Sequence, residues 1–281
     1  MKELIKKFLN YIIKLILNLF NTFNIGRYIL DKINSNIYKV SIPVKNEKVN
    51  LKFYSPNRLN YFRINTFFSK EPETLGWIDQ FESDSVFFDV GANIGLYSCY
   101  AAKKKNCKVF SFEPSVFNLD LLAKNIHLNS LSKKIVIVPN PLTNINKISE
   151  FNMSTIEAGG ALSTFGETYT HDGTEIEKSF NYNVPGTTLD ETISFFKLPQ
   201  PKYLKIDVDG IEHLIIEGAD QTLNSVQSIL VEVNDKFKLQ NDKINKKLTE
   251  KGFEMREKKQ SELLSKTEQV KDVFNQIWYK K

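Results

Sequence analysis

Residues 85–98 read SVFFDVGANIGLYS: an apolar run ends at Asp89 and passes directly into a turn carrying Gly91, Asn93 and Gly95. The run is short and apolar, as expected of a strand. The glycines let the chain turn tightly and bring backbone amides near a ligand, and GLYSCYAAKK (residues 95–104) then reads as a helix. The same rhythm continues outward, with KVFSFE (108–113) and KIVIVP (134–139) as strands around the helix NLDLLAKNIHLN (118–129). Further on come the strand YLKIDV (203–208), a helix over 211–217, the strand SILVEV (228–233) and a helix near 241–251. Alternating strands and helices imply right-handed crossovers and an α/β, doubly wound, mainly parallel sheet. GFEMREK (252–258) and VFNQIWYK (273–280) read as late strands pairing antiparallel at the sheet edge, which makes seven strands in a Rossmann-like arrangement.

Two regions depart from this rhythm. Residues 140–184 hold glycines at 159, 160, 166 and 173 and short strand-like pieces, ALSTF and FNYNV, as expected of an insertion that covers a site or forms an interface. At the other end, residues 1–68 form an extension ahead of the main domain, 69–281. In residues 1–20, Lys7, Asn10, Lys14, Asn18 and Asn21 recur three or four apart and leave a broad apolar flank, the pattern of an amphipathic helix. No stretch reaches the roughly 20 apolar residues a bilayer span needs. The helix is expected either to dock on the domain or a second copy, giving a homodimer, or to lie on anionic lipid as a peripheral membrane contact. Residues 37–54 alternate as a hairpin around a KNEK turn, and a helix is expected over Glu73–Phe81.

Of 281 residues, 41% are hydrophobic, 25% charged and 34 aromatic, enough for a sizeable core and against global disorder. Two cysteines, Cys99 and Cys107, are too few for a disulfide scaffold or a four-cysteine zinc site and suit a reducing, cytoplasmic compartment. The net charge of +5 comes almost wholly from lysine, with arginine only at 27, 58, 63 and 256, so nucleic acid is an unlikely partner. There is no GxxxxGK[ST] loop, no HExxH and no GxSxG, which removes the main support for triphosphate hydrolysis, zinc proteolysis and a serine hydrolase.

Two clusters carry chemistry. Asp89 ahead of the glycine turn disfavours a close pyrophosphate and suits an amine-bearing ligand, while Glu113 ends the next strand, where an acid binds two ribose hydroxyls. In KIDVDGIEHLIIEG, Asp207 and Asp209 would share a face of an extended strand, with Glu212 and His213 at the start of the following helix. Such a group supplies a general base for a hydroxyl or ligands for a divalent metal, with Asp207 and Asp209 the candidates; the same residues can instead cap the helix and pair with Lys205. His127 is expected on a helix surface and His171 as a solvated loop residue.

Together, FFDVGANIGLYS, SFEPSVFNLDLLAKNIHLN, TTLDE and YLKIDVDGIEHLIIEGA resemble the FkbM family of S-adenosylmethionine-dependent methyltransferases, over roughly residues 70–235. The resemblance implies S-adenosyl-L-methionine as cofactor and a methyltransferase sheet. It gives Asp89, Gly91, Asn93 and Gly95 the methionine side, Glu113 the ribose, Ser115 a place near the adenosine and Asn140 the adenine or methionine side. Glu71 and Thr74 would close over the cofactor, Asn129 would end its helix, and Asp190 would lie near the later strand. Asp207, Asp209 and Glu212 match an acidic block in which Asp209 replaces the more usual glutamate. The implied activity is O-methylation of a sugar hydroxyl in a bacterial glycan, glycolipid or nucleotide-sugar pathway, on the inner face of the cytoplasmic membrane if the amino-terminal helix binds lipid. A non-sugar small-molecule acceptor, or an inactive membrane- or partner-binding module, is the alternative. Asp207, His213 and then Asp209 are the expected catalytic residues.

Overall fold

The computed structural model describes residues 2–44, 47–265 and 271–281. It begins with helices α1 (Lys2–Thr22) and α2 (Asn24–Asn34), the hairpin β1 (Ile37–Val44) and β2 (Glu47–Tyr54), then α3 (Arg58–Asn65) and α4 (Pro72–Ile78). The first α/β half is β3 (Val86–Val90), α5 (Leu96–Lys105), β4 (Lys108–Phe112), α6 (Val116–Leu128) and β5 (Ile135–Val138). Strands β6 (Lys147–Met153), β7 (Ser163–Phe165) and β8 (Phe180–Gly186) and helix α7 (Leu189–Phe196) interrupt it. The second half is β9 (Tyr203–Ile206), α8 (Glu212–Glu217), α9 (Thr222–Ser225), β10 (Ser228–Asn234), α10 (Lys238–Glu250), β11 (Phe253–Lys259), α11 (Glu262–Ser265) and β12 (Val273–Lys280).

The main sheet has seven strands in the order β5–β4–β3–β9–β10–β12–β11. The first five are mutually parallel, and β12 runs antiparallel to both β10 and β11. The late strands therefore pair as expected, although the antiparallel strand lies one place in from the edge and β11 takes the edge itself. Phe87 and Phe88 show why the sheet is covered on both faces. Neighbours in sequence, they point to opposite sides, Phe87 towards Trp77 and Phe81, Phe88 towards Phe110 and Phe112, and both are fully buried. From β3 the chain goes to β4 on one side and returns as β9 on the other, so the order reverses at β3. The crevice at the carboxyl ends of β3 and β9 is where an open sheet of this kind binds ligands.

The hairpin forms as expected, with its turn residues 45–46 outside the described residues. It joins the main core: Leu51 and Phe53 are buried with Phe67 and Tyr100. Two asparagines of α6 complete the edge of β2. Asn129, the C-cap of α6, accepts from Lys52 N and donates to Lys52 O at 2.9 and 2.8 Å, and Asn125 accepts from Tyr54 N at 2.8 Å. Asn125 also donates to Ile94 O at 2.8 Å, tying the hairpin to the glycine turn. The 140–184 region contributes an antiparallel sheet, β7–β6–β8, which adds β6 to the two strand-like pieces of the sequence and carries β8 on to Gly186.

Two expectations are corrected. Helix α1 does not dock on the domain: Leu4 is 77%, Phe8 63% and Leu19 63% exposed. Asp207 and Asp209 do not share a strand face either, because β9 ends at Ile206 and Asp209 sits in a turn at φ +65°. Aspartate tolerates that left-handed conformation better than most residues.

Candidate active site

The turn after β3 is held by two amides, Gly91 N and Ala92 N, both donating to Phe112 O at 3.0 Å. Gly91 has φ +83°, and a Cβ there would fall 1.7 Å from the carbonyl oxygen of Asp207, so the turns after β3 and β9 touch only because residue 91 is glycine. Gly95, at φ +84°, is the N-cap of α5; its missing Cβ would lie 2.5 Å from Leu122 Cδ1 of α6.

Glu113 stands beside this turn at the end of β4. One carboxylate oxygen accepts from Asn93 N at 2.7 Å, the other from Ser115 N at 2.8 Å. Burial raises its pKa to about 7, against the pull of the two amides. Asn93, at φ +50°, and Asn118 both donate to Gly160 O, and Gly159 N donates to Asn118. The far side of this strap is gripped by α3 and its N-cap: Asn57 and Asn60 donate to Ala158 O at 2.9 and 2.7 Å, and Arg63 to Gly159 O at 2.7 Å. An apolar slot of about 30 Å³ continues from Gly91, lined by Phe112, Pro114, Asn140 and Leu142 and by Phe151 and Phe165 of the inserted sheet. Asn140 itself donates to Pro185 O at 3.3 Å.

Three residues expected at the cofactor each keep a buried oxygen with no hydrogen-bond partner among the described residues: Thr74 Oγ1, Asp89 Oδ1 and Ser115 Oγ. Buried polar atoms are nearly always paired, so these three mark where a polar ligand can complete the structure. The other oxygen of Asp89 accepts from Ser98 Oγ at 2.5 Å, and burial raises the Asp89 pKa. With the acid of Glu113, the glycine turn and the apolar slot, the residues present fit S-adenosylmethionine.

Next to this pocket lies a dense charge cluster. Buried Lys205 donates to Asp207 Oδ2 at 2.6 Å and sits over the Tyr97 ring; Tyr97 in turn donates to Glu71 at 2.7 Å, and Lys70 pairs with the same carboxylate at 2.5 Å. Burial works to raise the Asp207 pKa, but Lys205 and Lys70 outweigh it and hold the carboxyl below its ordinary range. Glu232 of β10 is pushed well above its ordinary value, by burial and by the negative charges of Asp207, Asp209 and Glu71. An ionised Asp207 and a protonated Glu232 are therefore neighbours. Asp209 accepts from Leu162 N at 2.7 Å and is raised by burial and by Asp207. Glu212 is spent on the turn: it accepts from Val208 N and Gly210 N and from the side chain of Gln240, and burial brings its pKa to about 7.

The structure thus gathers Glu71, Asp207 and Asp209 and leaves His213 aside. The His213 ring packs edge-on to Phe237, and burial with the nearby charge of Lys243 lowers its pKa to about 4. The expected meeting of strand-end acid and helix-start histidine is replaced by Glu212 folding back on the turn. His127 is exposed as expected. His171, in contrast, belongs to a loop that packs on the site: Thr170 O and His171 N lie 2.8 and 3.1 Å from where a Cβ of Gly210 would be, and His171 acts on Asp209 electrostatically. Asp190 caps α9, accepting from Gln221 N and Thr222 N on the way into β10. Among the described residues no three His, Cys, Asp or Glu side chains converge as a metal site. Sequence reasoning missed Lys70, Tyr97 and Glu232. Only Glu232 had a signal, an acid inside the otherwise apolar SILVEV.

Residues 89–255 match the Methyltransferase FkbM domain. The hexuronic acid methyltransferase AglP of Haloferax volcanii is 27% identical over 157 residues, 56% of this chain; the chain spans 59% of that relative's length. Among solved structures, the methyltransferase FkbM of Methylobacillus flagellatus aligns with TM-score 0.45 and 14% identity over 71% of this chain and 44% of its own. A precorrin-6y C5,15-methyltransferase of Geobacter metallireducens aligns with TM-score 0.43 and 16% identity over 75% and 87%. The chain belongs to the FkbM family of S-adenosylmethionine-dependent methyltransferases.

Proposed function

We propose that this protein transfers a methyl group from S-adenosylmethionine to a hydroxyl of a sugar. Bound S-adenosylmethionine supplies the methyl group on a sulfonium centre that is already a good leaving group. Glu113 takes the ribose hydroxyls, the turn over Asp89–Gly95 the methionine end, and Asn140 borders the slot for the adenine. Asp207 is the reacting-edge residue. It follows directly after β9, beside the glycine turn, with its side chain 22% exposed, so an acceptor hydroxyl has access to it. Its carboxylate accepts that hydroxyl's hydrogen bond, orients the oxygen and takes the proton as the new bond forms, while Lys205 keeps it ionised beforehand. Asp209 holds Leu162 and with it the cover over the site.

The observation carrying the reaction class is the ionised, partly exposed Asp207 against the cofactor turn. A sugar as acceptor is supported by the relative named a hexuronic acid methyltransferase. The test is incubation with S-adenosylmethionine and a panel of neutral and acidic sugar glycosides, with products read by mass. A methylated glycoside is expected, and methylation confined to non-sugar acceptors overturns the sugar reading. Activity unchanged by a chelator is expected of the acid and base chemistry, whereas activity lost to chelator and restored by magnesium or manganese would place a metal beside Asp207 and Asp209.

A further inference from the structure

Helix α1 presents an apolar arc that nothing in the structure covers. At 100° per residue, Leu4, Ile5, Phe8, Leu9, Leu15 and Leu19 belong to an arc about 200° wide, about twice what a helix needs to dock on one surface. Each of the six is more than half exposed. The remaining strip carries Lys6, Lys7 and Lys14 with Asn10, Asn18 and Asn21, together with one acid, Glu3, and one apolar residue, Leu17. Helix α2 turns away at 118°, and Gly26 makes the bend: a Cβ there would overlap the backbone of Phe20. Its own apolar residues, Ile25, Tyr28 and Ile33, are 71%, 61% and 56% exposed.

We infer that α1 and α2 lie together in the plane of an anionic lipid surface. Among the described residues no single helix is long and apolar enough to cross a bilayer, and Lys14 sits midway along α1. Residues 2–34 hold six basic and two acidic side chains, a net charge of +4. A second copy on this face would set +4 against +4, whereas anionic headgroups attract the lysines while the apolar arc enters the acyl boundary. The lysine stems reach from the polar strip back to the headgroups.

Sedimentation of the full chain with vesicles tests this. The chain is expected to pellet with vesicles of phosphatidylcholine mixed with phosphatidylglycerol, not with phosphatidylcholine alone, and to be released by high salt. Each lysine is worth about fivefold in partitioning, so Lys6→Gln, Lys7→Gln and Lys14→Gln together should weaken binding about 100-fold. Phe8→Asp with Leu15→Asp should abolish binding and leave the thermal unfolding of the domain unchanged. Failure of the folded chain to pellet with anionic vesicles overturns the proposal, as does equal binding to both vesicle types. A dimer in light scattering that Phe8→Asp and Leu15→Asp dissociate, without vesicle binding, would assign the face to a second copy.

Discussion

Replacing Glu113 with glutamine removes one charge and almost no volume. In the structure the two carboxylate oxygens accept from Asn93 N at 2.7 Å and Ser115 N at 2.8 Å. A glutamine serves one of these amides with its oxygen and confronts the other with an NH₂ group, leaving a buried donor unpaired at a cost of about 1–3 kcal/mol in stability. The ribose hydroxyls meanwhile lose a charged acceptor. Hydrogen bonds to charged groups contribute about 1.5–3 kcal/mol, so the affinity for S-adenosylhomocysteine should fall about 10- to 150-fold. Because burial sets the Glu113 pKa at about 7, the wild-type protein should also bind more weakly as pH falls through that value, where the acceptor becomes protonated. Titration calorimetry about a unit above and a unit below pH 7 reads both effects. The wild-type protein should show the pH step and Glu113→Gln should not. Equal affinity of variant and parent, or a pH step retained in the variant, would refute the ribose assignment.

Other outcomes follow from the same geometry. Asp207→Asn should lower kcat about 10²- to 10⁴-fold while S-adenosylhomocysteine binding stays within a few-fold; an equally active variant removes Asp207 from the chemistry. Gly91→Ala should cost about 2–5 kcal/mol in chemical denaturation, from the left-handed φ and the overlap with Asp207 O, and a variant as stable as the parent would mean the two turns do not touch. Glu113 and Glu212 both have folded pKa values of about 7 against an ordinary 4.5. The folded state holds these protons more tightly, so their stabilisation is complete below about pH 4.5 and is lost as pH rises through 7, by up to about 3 kcal/mol per group. Urea midpoints should therefore fall between about pH 5 and pH 8, and less so in the Glu113→Gln, Glu212→Gln double variant; a flat wild-type profile contradicts the burial argument. Asn129→Ala strips both partners from Lys52 and should destabilise the protein by about 1–3 kcal/mol in the same assay, with no loss expected only if the hairpin edge is free of α6.

Much of this was legible in the sequence because it rests on local rules. Strand, glycine turn and helix are contiguous in 85–98, and burial on both faces writes itself as an unbroken apolar run. The site was legible where chemistry follows directly from a strand end, as at Glu113 and Asp207. It was hidden where side chains meet across strands. Glu232 becomes Asp207's neighbour only when β10 pairs with β9, where Val231 aligns with Ile206. His213 and Glu212 differ by one position on a helix, and a rotation of about 100° decides which faces the turn. The role of Lys70 depends on α4 delivering Glu71 beneath Tyr97. The inserted strands gave a weak signal because Ser149 and Glu150 break the alternation of β6, its apolar Ile148 is exposed while its polar Asn152 is buried, and its pairing with β8 spans some thirty residues.

The identity of the methylated product decides whether Asp207 drives transfer to a sugar hydroxyl. The protein should be incubated with S-adenosylmethionine labelled in its methyl group and with hexuronic acid and neutral hexose glycosides, and the labelled product located by NMR. A methyl ether on a ring hydroxyl, lost in Asp207→Asn, is expected. A methyl ester on the carboxyl group, or no labelled sugar from a folded protein that binds S-adenosylhomocysteine, would contradict it.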